Sequence, residues 1–299
     1  LRPRTSAGGM TVYDLFLAPF ADFGFMRRAL VACLCLGLGS GPIGVFLMLR
    51  RMSLMGDAMS HAVLPGAAIG YLVAGSLSLT AMGLGGLIAG LSVALLSGAV
   101  SRMTVLQEDA SFASFYLASL ALGVLIVSLR GSNIDLLHVL FGTILAIDAP
   151  ALYLIGAITS LTLVTLAVIY RPLVAECFDP NFLRAVGGRG PVYHVLFLLL
   201  VVLNLVASFQ ALGTLMAVGL MMLPAAIAQL WSRSLAVMMA IAAASAAASG
   251  YLGLIASYHL ELASGPTIIM TAALIYAFSI LFAPSGIARR FFPRPHLKG

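Results

Sequence analysis

"MGDAMSHAVLPGAAIGYLVA" occupies residues 55–74 and combines two properties that conflict. At about 1.5 Å per residue it is long enough to cross the hydrocarbon core of a bilayer as a helix. It also carries Asp57 and His61, and ionisable groups at mid-bilayer cost at least a few kcal/mol each on insertion scales. Working outward, apolar runs of similar length recur along the chain. Hydrophobic residues make up 62% of the 299 residues and charged residues 9%, against about 25% charged in an ordinary soluble domain. The chain is therefore an integral membrane protein. Open strands leave backbone groups unsatisfied in lipid, so its apolar runs are helices.

Apolar runs bounded by charges or turn residues are Ala29–Leu49, Leu54–Ala74, Leu79–Val100, Ala110–Leu129, Ala151–Tyr170, Pro191–Phe209, Ala211–Leu230, Ser234–Tyr258 and Leu262–Pro284. They predict an all-α polytopic transmembrane bundle of eight to nine spans. A shorter run, Ile134–Ile147, ends at "DAP" and suits an interfacial or re-entrant segment. Residues 1–10, which end at Met10, are set aside as a remnant or upstream extension, which leaves 11–299 as a single transmembrane domain. Cys33, Cys35 and Cys177 have no C-x-x-C spacing and are assigned to packing.

The formal charge of +6 is explained by loop asymmetry and calls for no nucleic-acid partner. If residues 171–190 are cytoplasmic, that side collects eleven of the sixteen basic residues, and the C-terminus lies there too. Stripes of Gly, Ala and Ser, as in "GLGGLIAGLSVALLSGAV", indicate close helix packing without saying what crosses the bundle.

Asp57 and His61 are four residues apart and share one helix face, with Ser53, Ser60 and Leu64 near it. A carboxylate and an imidazole form a ligand set that Zn, Mn or Fe(II) accepts, and two ligands leave the shell incomplete. A structural Asp–His pair and a proton relay remain alternative readings. Pro65 withdraws a backbone donor from the carbonyl of His61, so a kinked or broken helix is expected beside the pair, as in many transporter sites. Pro224 repeats the device in the seventh span.

On the outer side this topology gathers Asp135, His138, Asp148, His259 and Glu261 as a candidate cation entrance, with ordinary solvated loops as the plainer reading. In the 171–190 loop, Asp179 followed by Pro180 is a helix-start signal and the Gly187–Gly188 pair a stop. His194 and His296 are given no functional role.

Several segments together resemble the membrane permease subunits of ATP-binding-cassette importers for zinc, manganese and iron. "LRRMSLMGDAMSHAVLPGAAIGYL" looks like the family's signature, and "EDASFASFYLASLALGVLIVSL" resembles its fourth-span region. "DLLHVLFGTILAI", "CFDPNFLRAVG", "LGTLMAVGLMMLPAAIAQL" and "GPTIIMTAALIYAFSILFAPSG" follow in family order, with Thr143 where an acidic residue is expected. The resemblance implies that Asp57 and His61, in G-D-A-x-S-H-A, lie on the path of the transported metal. It implies coupling to an ATPase through Asp179, Pro180, Phe182, Leu183, Arg184, Val186 and Gly187.

It also implies a permease homodimer, two copies of a separate ATPase and a metal-binding protein on the outer face of a bacterial inner membrane. The only lysine is Lys298 and no G-x-x-x-x-G-K-[ST] loop exists, so ATP chemistry belongs to a partner and the chain is not itself an enzyme. No permanently bound cofactor is expected. The sequence-based reading favours zinc over manganese or iron as cargo, moved by alternating access. Its competitors are an ion- or proton-coupled secondary transporter and an intramembrane metallohydrolase.

Overall fold

The computed structural model describes residues 12–52, 55–75, 79–106, 108–130 and 144–287. Two short helices, α1 (Val12–Phe16) and α2 (Ala18–Asp22), precede α3 (Gly24–Leu49), α4 (Met55–Ala74), α5 (Leu79–Met103) and α6 (Glu108–Arg130). A short 3-10 turn at Ile144–Ala146 leads into α7 (Ala149–Phe178) and the small α8 (Pro180–Ala185). The chain continues through α9 (Gly190–Leu212), α10 (Thr214–Trp231), α11 (Leu235–Leu260) and α12 (Ser264–Phe282). Among the described residues there is no strand.

Among the described residues, six helices are long and apolar enough to cross a membrane: α3, α5, α7, α9, α11 and α12. The apolar parts of α6 and α10 are shorter, and α4 is diluted by Asp57, His61 and Pro65. Two of the expected boundaries move. Helix α3 begins at Gly24, taking in Arg27 and Arg28, and α7 runs through Arg171 and Pro172 to Phe178, so the polar excursion after it is residues 179–189.

Helices α3 and α9 form the centre. Their most apolar stretches are 72% and 61% buried inside the protein, against 33% or less for α5, α7, α11 and α12. Helix α3 packs on α7, α9, α10 and α11. At Gly44 the backbone of α10 comes so close that a β-carbon would strike the carbonyl of Met221. Buried polar links join the central helices: Asn204 Nδ2 of α9 donates to Thr162 Oγ1 of α7 at 2.7 Å, and Thr159 Oγ1 donates to the Cys35 carbonyl of α3 at 3.0 Å. In lipid such bonds add to close packing as the source of helix association.

Helix α4 lies on α5 and α6, and it also touches α9 and α10. Gly66 and Gly85 meet backbone to backbone: a β-carbon on either would run into the other's carbonyl oxygen. This is the close approach that small residues permit inside membranes. The Ile144–Ala146 turn is buried against α3 and α12, with Ile144 1% exposed. The rest of the segment expected to be interfacial or re-entrant lies outside the described residues.

Replacing Gly66 with Leu is expected to destabilise the fold by about 1–3 kcal/mol, the usual penalty for overfilling a packed contact. At Gly156 on α7 a β-carbon would meet nothing within 4 Å, so Gly156→Ala is expected to leave stability unchanged or slightly raised. Thermal melting of the detergent-solubilised protein compares the two, and equal melting of Gly66→Leu and the unaltered chain would contradict the packing account.

Candidate functional site

Helix α4 is sharply two-faced. Met55, Ala58, Met59, Ala62 and Val63, spaced three and four apart, are buried in the core with α9 residues Val201 and Leu205. The opposite face carries Asp57 and His61, whose side chains are 64% and 36% exposed on the isolated chain. His61 Nε2 stands 3.8 Å from Asp57 Oδ1, too far for a hydrogen bond. Two donors each about 2.1 Å from one ion are separated by roughly 3 Å at a right angle and by at most about 4.2 Å. A small side-chain rotation lets both bind the same ion.

Tyr116 of α6 completes the local surface, stacked on His61 with ring centroids 6.2 Å apart and planes 26° from parallel. Sequence reasoning misses Tyr116; its only signal is membership of the apolar fourth run. Ser60, expected on the ligand face, is instead buried, and its Oγ donates to the Asp57 carbonyl at 2.7 Å. Ser53 lies outside the described residues. Among the described residues no three His, Cys, Asp or Glu side chains come together to hold a metal. By itself the pair offers an ion at most two ligand groups.

Of the kink or break expected at Pro65, the break is not found: α4 continues through it to Ala74. Pro65 fits against Gly123 of α6, where a β-carbon would lie 2.8 Å from Pro65 Cγ, and Ser119 Oγ of α6 donates to the Ala62 carbonyl at 3.4 Å. Helix α6 thus packs against α4 at the proline, its Ser119 bond reaching the carbonyl next to that of His61, which Pro65 leaves without its donor. Helix α10 likewise continues through Pro224.

The five residues grouped as an entrance have separate settings. Asp135 and His138 lie outside the described residues. Asp148 caps α7, its Oδ1 accepting from the Ala151 N–H at 2.9 Å. It also sits at the edge of a largely apolar cavity of about 560 Å³ between α5, α7 and α9. His259 Nε2 is 2.9 Å from the Leu15 carbonyl oxygen, tying α11 to the N-terminal helices. Glu261 ends α11 in the left-handed region at φ 53° and is exposed.

The excursion between α7 and α9 forms as its sequence dictates. Asp179 Oδ1 accepts from the Phe182 N–H at 2.9 Å, Pro180 opens α8, and Gly187 turns at φ 77° with the Gly188 N–H bonded to the Leu183 carbonyl at 2.8 Å. Leu183 folds inward at 8% exposure, whereas Phe182 and Val186 stand out at 58% and 69%. Arg184 is placed on α8 by its backbone. Of the three apolar residues Phe182, Leu183 and Val186 in the expected coupling segment, two are exposed and Leu183 is buried.

Residues 22–283 match the model of the ABC 3 transport family. The chain belongs to that family. This ABC 3 permease is 34% identical over 90% of its length to the manganese import system permease protein ScaB of Streptococcus gordonii, covering 95% of that protein. It is 30% identical over 91% of its length to the chelated iron transport system membrane protein YfeD of Yersinia pestis, covering 89% of that protein. Its fold matches PsaBC from Streptococcus pneumoniae in complex with Fab, with a TM-score of 0.79, 30% identity, and coverage of 91% of this chain and 97% of the other. The ABC 3 permease is thus a multi-pass membrane component of a metal importer, and the resemblance read from its motifs holds.

In a variant lacking native cysteines, Asp57→Cys is expected to react with a small water-soluble thiol reagent faster than Ser60→Cys. Equal rates in the purified chain would mean that α4 presents a different face.

Proposed function

We propose that this permease imports manganese and that Asp57 and His61 of α4 line the path of the ion. The observation that carries the reading is a carboxylate and an imidazole 3.8 Å apart on the outward face of α4, within a metal-importer family. Both ligand types suit a divalent first-row metal. The sequence alone favours zinc; the names of the relatives specify manganese and iron, with the manganese permease ScaB at 34% identity and the iron permease YfeD at 30%. Manganese replaces zinc as the preferred cargo. It is a substrate in transit and not a resident cofactor.

An ionised Asp57 facing hydrocarbon is unfavourable, so the α4 face is covered by a second copy of the chain, and the ion passes between the two copies. Residues 11–299 form one transmembrane domain in the bacterial inner membrane. Helices α4, α6 and α10 cross together with the six longer ones, giving nine spans, an outer N-terminus and a cytoplasmic C-terminus. A metal-binding protein delivers the ion to an outer rim that includes Asp148 and Glu261. Two ATPase subunits dock on the exposed Phe182 and Val186 of α8, and their ATP-driven closure switches the dimer between outward and inward access.

The test is uptake of radioactive manganese into proteoliposomes holding the permease with its ATPase and binding protein. Asp57→Ala and His61→Ala are each expected to lower uptake by roughly tenfold or more, the scale on which even residues behind a ligand shell act. Unimpaired uptake by both variants would overturn the assigned path, and full uptake without ATP would favour an ion-coupled secondary transporter. Phe182→Asp combined with Val186→Asp is expected to release the ATPase during size-exclusion chromatography while leaving the permease folded.

A further inference from the structure

Helix α3 ends in a turn that aims a cation inward. The Met52 N–H donates to the Leu47 carbonyl at 2.9 Å and the Arg51 N–H to the Met48 carbonyl at 3.0 Å, the paired bonds of a Schellman motif. Arg51 takes the left-handed position at φ 59°, which glycine usually fills. A residue with a β-carbon is disfavoured there, so the surrounding packing holds the turn. The chain then passes through the buried Met52, and the Met55 N–H donates back to the Met52 carbonyl at 3.0 Å as α4 begins. Asp57 lies in the first turn of α4.

The half-buried Arg50 grips two other helices at once. Its Nη1 is 2.6 Å from His194 Nδ1 on α9, and its Nε donates to Cys177 Sγ on α7 at 3.2 Å. Its guanidinium carbon sits 5.2 Å from the centre of the Phe197 ring on α9. A guanidinium only donates, so Nδ1 of His194 is the acceptor and the ring proton is on Nε2. Cys177 is two residues before Asp179, which caps α8, and His194 is in the first turns of α9 just beyond it. One side chain therefore holds both roots of the α8 excursion to the turn that starts the Asp57/His61 helix. A lysine could not do this, because only the planar fork offers separate donors and a stacking face together.

We infer that Arg50 is the positioning residue that couples α8 to α4: a displacement of α8 by the ATPase moves the roots of α7 and α9, and Arg50 passes that movement to the α3–α4 turn. This rests on the transport reading above. Coupling between distant sites needs a physical connection whose arrangement both sites bias. The Arg50 contacts are such a connection.

The permease is reconstituted with its ATPase and binding protein. Co-elution of the complex, ATP hydrolysis with and without manganese-loaded binding protein, and manganese uptake are then measured. Arg50→Gln, Arg50→Lys and His194→Leu are expected to assemble and hydrolyse ATP without stimulation by the loaded binding protein. Their uptake per ATP is expected to fall by about 5- to 150-fold, the usual range for coupling between sites. His194→Asn, which keeps an acceptor near the place of Nδ1, is expected to retain coupling.

Unchanged uptake per ATP in Arg50→Gln would overturn the coupling role. So would failure of both Arg50→Gln and His194→Leu to assemble, which would make the contact a folding brace, or equal impairment of His194→Asn and His194→Leu. If the unaltered complex moved no manganese, the transport reading would fall and the coupling role with it. If it moved manganese and Arg50→Gln moved as much per ATP, only the coupling role would fall.

Discussion

A carboxylate cannot be left against hydrocarbon without several kcal/mol of cost, and helix α4 holds one on its outward face. The orientation is fixed from behind. Met55, Met59, Ala62 and Val63 are buried in the core, Gly66 meets the backbone of α5, and Pro65 fits against Gly123 of α6. Rotating α4 to hide Asp57 would break all three contacts and bring the buried methionines to the surface. Packing therefore leaves Asp57 and His61 on an outward face, and the proposed ion path would give that face the polar surroundings it needs.

The same packing connects the pair to the rest of the chain. Helix α3, most deeply buried of the long helices, gathers α7, α9, α10 and α11 around it. Its last residues turn directly into α4, and the long α7 carries the chain to α8 before α9 returns to the centre. The exposed Phe182 and Val186 are thus separated from the Asp57/His61 pair by two helix roots and one tight turn. A push at α8 has a short route to α4.

Much of this is legible in the sequence for local reasons. Asp57 and His61 share a helix face because 3.6 residues make a turn, and the cap at Asp179 and stop at Gly187 follow from chemistry confined to a few neighbouring residues. The composition forces helices, and α5, α9, α11 and α12 lie within a few residues of the apolar runs. What the sequence conceals depends on distance or on competing signals. Arg171 and Pro172 look like the end of a span, yet α7 continues for two more turns because its inner face, including Leu173, remains buried.

Asp148 looks like an entrance ligand, although "DAP" is also a helix-start signal, and its carboxylate serves as a cap. Pro65 looks like a break, but proline is tolerated where adjoining helices support the backbone. The contact between Arg50 and His194 spans 144 positions and has no local signature, so nothing in the sequence singles out His194.

The central claim, that the transported ion contacts the outward face of α4, is most directly tested by pulsed electron paramagnetic resonance of manganese held in the assembled, ATPase-trapped importer. The account predicts a nitrogen-14 coupling from a bound imidazole that is present in the unaltered complex and lost in His61→Ala. Bound manganese with no nitrogen coupling, or with a coupling that survives in His61→Ala, would contradict it.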